Sequence, residues 1–455
     1  MQRYASQYLQ QWLQNSARKP MIMRGARQVG KTWLVRHLVE SSGKQLVELN
    51  FEKFPAHKQF FHTNDVQVIL RDIGLAQQQT LQPEQTLLFL DESQAFPDVL
   101  AKLRWFYEDM PELAVVAAGS LLDFTLGDHQ FSMPVGRVSF CYIEPLSFEE
   151  FLLAKNETVL LAFIQQMDFT TPVALPVHHK LLDLFREYLI VGGMPEAVAT
   201  WVNTDALAEV ARIQSDLRMA YRDDFVKYTP RIDTQYLDAV WQAVPRLLGG
   251  KFVYSQVARD LQSTKLKAAL GLLCQARVCY KAVATAANGV PLMAEANAKR
   301  FKVGLLDVGM TSALLGLQLH EVNQIGDINL INQGAISEQI VGQLLRASQP
   351  LYQAPQTYYW ARENKSANAE LDYVWASGGQ IVPIEVKSGA TGSLKSLHLF
   401  MHLKQLPHAV RVNADLPSQV PVAVKLHDGQ VAKYQLSSIP FYLIEQLQRL
   451  LQISD

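Results

Sequence analysis

Five short apolar runs punctuate the first 150 residues: 21–24, 46–50, 86–90, 113–118 and 139–143. The segments between them are helical in pattern, as in Trp33-Leu34-Val35-Arg36-His37-Leu38. Leu87-Leu88-Phe89-Leu90 has no polar position, the reading of a strand buried on both faces. Strands alternating with helices in this way predict a doubly wound parallel sheet. From Phe151 to Ala243 the pattern turns helical, punctuated by Pro172, Pro176 and Pro195, and predicts a helical lid and connector.

A third pattern begins near residue 244. Tyr254 to Leu261, Gln262-Ser263-Thr264 and Lys265 to Leu273 read as helix, turn, helix, with Ser263 or Thr264 as cap of the second helix. Residues 277–287 and 290–294, about Asn288-Gly289, read as a hairpin that completes a winged helix. Beyond it lie an amphipathic helix over 334–345, β-rich runs at 357–361, 369–375 and 381–387, a helix over 394–406 and a strand over 409–412. Pro383 is expected at an edge or near a strand start. The chain therefore divides into 1–152, 153–243, 244–318 and 319–455, as its 455 residues demand, since one core stops growing at about 250–300 residues.

Composition is ordinary for globular domains, 49% hydrophobic and 19% charged, which excludes collagen-like and disordered classes. The net charge of −1 conceals an uneven distribution. Residues 246–302 hold ten lysines and arginines against two acids, +8, leaving −9 on the rest. Such a segment suits phosphate contacts with DNA, and a winged helix serves equally as a protein–protein module. Cys141, Cys274 and Cys279 make neither a disulfide framework nor a zinc set and read as reduced, buried thiols. The polar N-terminus has no signal-peptide pattern and no apolar stretch reaches about 18 residues, so a cytoplasmic protein with no membrane partner is expected.

The chemistry begins at Gly25-Ala26-Arg27-Gln28-Val29-Gly30-Lys31-Thr32, set between a strand and the helix opening at Trp33. Two glycines let the backbone form a nest of N–H groups for phosphate oxygens, and the helix N-terminus adds its dipole. Lys31 reaches for the terminal phosphates of ATP and Thr32 for Mg²⁺. Asp91, at the tip of the apolar strand, is placed for the Mg²⁺ shell and Glu92 for the attacking water. Ser120, after Gly119 at a strand end, is either a γ-phosphate contact or a helix cap. Arg218, Arg222, Asp223 and Asp224 form a charge cluster, either a pairing face or a nucleotide sensor.

These residues, with Gly136-Arg137, Ile143-Glu144-Pro145-Leu146-Ser147-Phe148-Glu149-Glu150-Phe151 and Tyr188-Leu189-Ile190-Val191-Gly192-Gly193-Met194-Pro195-Glu196, resemble AAA-type P-loop ATPases of bacteria and archaea. In that family the ATPase is fused to a C-terminal domain of unknown function. The resemblance implies that Arg137 is an arginine finger for a neighbouring subunit's nucleotide, hence a homo-oligomer; a surface ion pair is its alternative.

In the last quarter, Asp372 and Glu385 stand at the ends of adjacent expected strands and can share Mg²⁺, with Lys387 two residues on, on the same strand face as Glu385. Glu338 on the preceding helix can reach the same metal. The set resembles the PD-(D/E)xK restriction-endonuclease-like superfamily, with Leu371 in place of the proline. The expected whole is an ATP-hydrolysing protein coupling nucleotide state to a DNA-binding winged helix and a metal-dependent nuclease-like domain. Its rival is a nucleotide-gated protein-binding switch with a catalytically silent nuclease-fold scaffold.

Overall fold

The computed structural model describes residues 1–119, 122, 133–225, 232–317, 334–364, 367–387, 393–426 and 429–453. In the N-terminal part the helices are α1 (Tyr4–Gln14), α2 (Lys31–Ser42), α3 (Val66–Ala76) and α4 (Asp98–Asp109). They flank strands β1 (Met21–Arg24), β2 (Gln45–Asn50), β3 (Thr86–Asp91), β4 (Ala114–Ala118) and β5 (Ser139–Tyr142). All five strands are parallel, in the order β2-β3-β4-β1-β5.

Alternation along each strand sorts the side chains between two cores. Ile22, Val47, Leu49, Leu88, Leu90, Val115 and Ala117 meet Ile69 and Ile73 of α3 and Leu100 and Leu103 of α4. Met21, Met23, Leu87, Phe89, Ala114, Val116 and Ala118 meet Leu9 and Trp12 of α1 and Leu34, Val35 and Leu38 of α2. Both faces are covered, which is why these strands read as continuous apolar runs.

The connector holds α5 (Phe148–Ala154), α6 (Thr158–Gln166), α7 (Leu175–Val191), α8 (Pro195–Thr204), α9 (Leu207–Asp223) and α10 (Thr234–Ala243). Ser147 opens α5 with a capping box closed by Glu150. Next come α11 (Tyr254–Val257), α12 (Ser263–Gln275), strands β6 (Cys279–Thr285) and β7 (Ala296–Leu305), and α13 (Val308–Leu315). The last part has α14 (Ala335–Ala347), β8 (Thr357–Asn364), β9 (Ala367–Ser377), β10 (Gln380–Val386), α15 (Lys395–Lys404), β11 (His408–Asn413), β12 (Ser418–Lys425), β13 (Val431–Pro440) and α16 (Leu447–Leu450).

Several local expectations need correction. The return strand of the hairpin begins at Ala296, not Val290. Pro291 offers no N–H to a ladder, and Asn288 instead donates its backbone N–H and its amide to the Glu295 carboxylate, closing a longer loop. Helix α12 starts at Ser263 itself, with Gln262 at the cap position and no side-chain cap bond, so neither Ser263 nor Thr264 caps it. Pro383 lies inside β10, between β9 and β11. It is tolerated because pairing with β11 begins only at Ile384. Strands β12 and β13 extend the sheet beyond the elements read from sequence.

The hairpin β6–β7 does not stand apart. It joins the C-terminal strands in one eight-stranded mixed sheet ordered β12-β13-β11-β10-β9-β8-β6-β7, with β6 and β8 parallel. One apolar core runs from the α1–α2 face of the first sheet through Phe148, Phe185 and Tyr188 to Ile340, Ile384, Val410 and Phe441. Cys141 and Cys279 are buried free thiols, and Cys274 is free and partly buried.

Candidate functional site

The loop between β1 and α2 owes its shape to two glycines. A Cβ on Gly25 would stand 2.5 Å from the Ile143 carbonyl oxygen, and Gly30 adopts φ 92°, in the left-handed region. Gln28 is also left-handed, at φ 65°. Ala26 and Val29 are buried and anchor the loop between its exposed turns. The Lys31 ammonium folds back to donate to the carbonyls of Gly25 (2.9 Å) and Ala26 (2.7 Å). Thr32 follows at the start of α2, partly buried, and Trp33 is 41% exposed and stacks on His37 at 4.7 Å.

Because the strands are parallel, β1, β3 and β4 deliver their C-terminal ends to one edge. Leu90 pairs with Ala117 and Met23 with Ala118, which brings Asp91 and Gly119 to the side of the loop. Ser120, the residue after, lies outside the described residues. The sheet changes direction of growth at β1, flanked by β4 and β5, and such switch points are where α/β sheets bind ligands. Asp91 accepts from Asn50 Nδ2 at 3.0 Å. Burial, reinforced by the neighbouring Glu92 charge, pushes its carboxyl up to about 6. Glu92 itself is left-handed at φ 49° and accepts from Gln94 Nε2 at 2.5 Å.

The loop is braced from three directions that sequence reading missed or left open. Arg3 donates to the Val29 carbonyl (3.2 Å), the Glu144 carbonyl (2.8 Å) and the Glu150 carboxylate (3.0 Å). Arg27 grips Asp224, just past α9, at 2.6 Å, while Arg222 turns away to Asp238, so the charge cluster divides between loop and helix pairing. Pro195 Cγ lies 3.5 Å from where a Gly30 Cβ would be. Arg137 precedes the N-terminal end of β5, opposite the loop edge, and is exposed in an ion pair with Glu108 at 2.5 Å. It cannot serve its own loop from there.

The second candidate site gathers Glu338 of α14, Glu370 and Asp372 of β9, Glu385 of β10 and Lys387. Lys387 Nζ pairs with Glu385 Oε1 at 2.6 Å, and Asp372 Oδ2 accepts from the Val386 N–H at 2.8 Å. Burial, then the Asp372 charge, raise Glu338 to about 8 and Glu385 to about 7. The unexpected member is Lys302 of β7. Its ammonium sits 2.9 Å from Glu338, 2.7 Å from Glu370 and 3.7 Å from Asp372. Burial alone would lower its pKa; Glu338, Asp372 and Glu370 instead hold it above the ordinary lysine range.

Among the described residues no three His, Cys, Asp or Glu side chains are grouped to hold a metal ion. The shared Mg²⁺ expected on Glu338, Asp372 and Glu385 does not fit the cluster as it stands, because a lysine ammonium already bonds the Glu338 and Glu370 carboxylates and lies beside Asp372. The ATP·Mg²⁺ expectation does fit the first site, where the residues present are a loop turned by two glycines, a lysine and a helix N-terminus at the same sheet edge as the carboxylate that ends β3. Other basic residues of 246–302 are also engaged internally. Arg277 lies over the Tyr142 ring at 4.7 Å and Lys281 over Phe301 at 4.6 Å. Arg246, Lys251, Arg259, Lys265, Lys267 and Lys299 remain exposed. No described helix is long and apolar enough to cross a membrane.

Three families match in succession: an AAA domain over residues 17–152, a domain of unknown function (DUF8612) over 182–321 and another (DUF4143) over 333–431. No curated protein matches. Similar solved structures include the Walker-type ATPase PABY2304 of Pyrococcus abyssi, 15% identical, covering 68% of this chain and 94% of that one at a TM-score of 0.42. The ORC2 protein of Aeropyrum pernix, 12% identical, covers 71% and 93% at a TM-score of 0.36. The family match falls on the glycine loop and its parallel sheet: residues 17–152 are an AAA domain with a P-loop.

Proposed function

We propose that the chain binds ATP·Mg²⁺ in the loop Gly25–Trp33 and hydrolyses it. The observation that carries this is the loop itself, with Lys31 buried in it and Asp91 and Glu92 at the same sheet edge. When bound, ATP supplies the phosphoryl group that passes to water. Thr32 and Asp91 would hold its Mg²⁺, Lys31 would neutralise phosphate oxygens, and Ser120 would face the γ-phosphate. Glu92 would take the proton of the attacking water, and Arg137 would serve a neighbouring copy in a homo-oligomer. Phosphate release should fall by at least about 10²-fold in Glu92→Gln and Lys31→Ala, in line with the loss of a positioned base or donor. Equal release from all three proteins would refute the assignment.

The exposed cations of 246–302 support a DNA-facing role for the expected winged helix, by phosphate contact. If all six touch phosphates, log K should fall against log salt with a slope of about −5. A slope near zero would leave the protein–protein reading. For the C-terminal part, the lysine among its carboxylates favours a nuclease-fold scaffold over a metal-dependent nuclease, and no cleavage step is assigned to Asp372, Glu385 and Lys387.

A further inference from the structure

We infer that Lys302 is the resident cation of the C-terminal acidic cluster, and that the docked β6–β7 hairpin thereby closes the cluster to divalent metal ions. The inference deepens the scaffold reading and rests on it.

Lys302 follows Phe301 and precedes Val303, both buried in the core, so strand alternation turns it to the other face, towards α14 and β9. Only 6% of its side chain is accessible. An ammonium so desolvated stays charged only where carboxylates surround it, and here three do, from two elements other than its own. The distances of 2.7 and 2.9 Å are those of charge-assisted N–H···O bonds. A Mg²⁺ would need these oxygens at about 2.0–2.1 Å. It would have to stand where the ammonium stands, so the two occupants exclude one another.

Two further observations indicate a cation site rather than an incidental ion pair. Glu385 Oε2 is buried with no hydrogen-bond partner although Oε1 pairs with Lys387, so the cluster keeps an oxygen that the lysines do not satisfy. Gly249 packs against Glu338, where a Cβ would come 3.2 Å from Oε1, so the chain comes close enough to restrain that carboxylate. The Glu370 side chain is 41% exposed, which leaves a way in for a small ion once the lysine is gone.

The test uses nucleotide-free full-length protein and Mn²⁺, with bound metal counted by electron paramagnetic resonance. The unsubstituted protein and Asp372→Asn should take up equal, background Mn²⁺. Lys302→Met should gain one Mn²⁺ per chain with at least tenfold tighter binding, and Lys302→Met/Asp372→Asn should lose it again. Lys302→Gln, neutral but still able to hydrogen-bond, should behave as Lys302→Met does and guards against misfolding of the methionine variant. Uptake by the unsubstituted protein that Asp372→Asn abolishes would overturn the inference, as would no gain in either Lys302 variant. Metal-dependent DNA cleavage by the unsubstituted protein is a different failure, that of the scaffold reading.

Discussion

One of the buried bonds between the AAA domain and the C-terminal part can be broken one side at a time. Arg346, near the end of α14, makes a two-pronged contact with Glu144, just past β5, at 3.0–3.1 Å, with 10% and 9% of the side chains accessible. Arg346 also lies over the Tyr280 ring at 4.6 Å and donates to the Pro355 carbonyl. Removing either partner strands a buried charge, which costs about 3–5 kcal/mol. Arg346→Met should fall at the upper end, because it also loses the ring contact, worth about 0.5–2 kcal/mol. Glu144→Gln should fall at the lower end, since its backbone carbonyl keeps the Arg3 bond. The double variant strands no charge, so it should be less destabilised than the sum of the singles by at least about 1.5 kcal/mol, within the range for contacting residues. Urea midpoints and slopes for the four proteins supply the cycle. Additivity within about 0.5 kcal/mol would refute the claim that the pair acts as a buried unit.

At Asp91 the raised carboxyl means that the folded state binds more protons than the unfolded one between about 4 and 6, so this group's contribution to stability falls as pH rises through that window. Asp91→Asn removes the buried charge and should raise the melting temperature of nucleotide-free protein at pH 7.5, by an amount that shrinks towards pH 4, while hydrolysis is lost. A gain independent of pH, or a loss at pH 7.5, would contradict it. Mixing Lys31→Ala with Arg137→Ala should restore part of the ATPase rate, because one variant keeps a finger and the other keeps a loop; a mixture no faster than its components would leave Arg137 as the surface partner of Glu108.

What could be read from sequence was what is local in sequence. The five strands of the first sheet announced themselves because both faces are covered, and the phosphate loop because its glycines, lysine and threonine are consecutive. Lys302, Asp307 and Arg346 escaped because their partners Glu338, Gly193 and Glu144 lie 36, 114 and 202 residues away. Lys302 is one of the ten cations of the basic segment 246–302, and the pairing of β7 with β6, and β6 with β8, turns it into the acidic cluster. Its alternation with Phe301 and Val303 was visible, but the face opposite a core is ordinarily solvent. A lysine inside a run that continues apolar to Leu306 was the one signal that this face was covered too.

Helix α14 is the element on which the two sites converge. Glu338 and Arg346 are eight residues apart, about 12 Å along the axis, and Gln343 lies between them. Gln343 accepts from the Val308 N–H at 2.7 Å and donates to Asp307, whose carboxylate in turn accepts from the Gly193 N–H at 2.6 Å. Gly193 admits no side chain, since its Cβ would lie 2.1 Å from the Leu146 carbonyl oxygen, and Pro195 two residues on touches the Gly30 position of the phosphate loop. The links from Gly193 to Gln343 are buried hydrogen bonds, whereas Pro195, half-buried, meets the Gly30 position by van der Waals contact. The Gly193–Asp307–Gln343 bonds thus tie the segment that rests on the phosphate loop to α14. Glu338, in the first turn of α14, is the carboxylate that holds Lys302, so the helix that carries the buried Arg346–Glu144 pair also carries the contact at the acidic cluster.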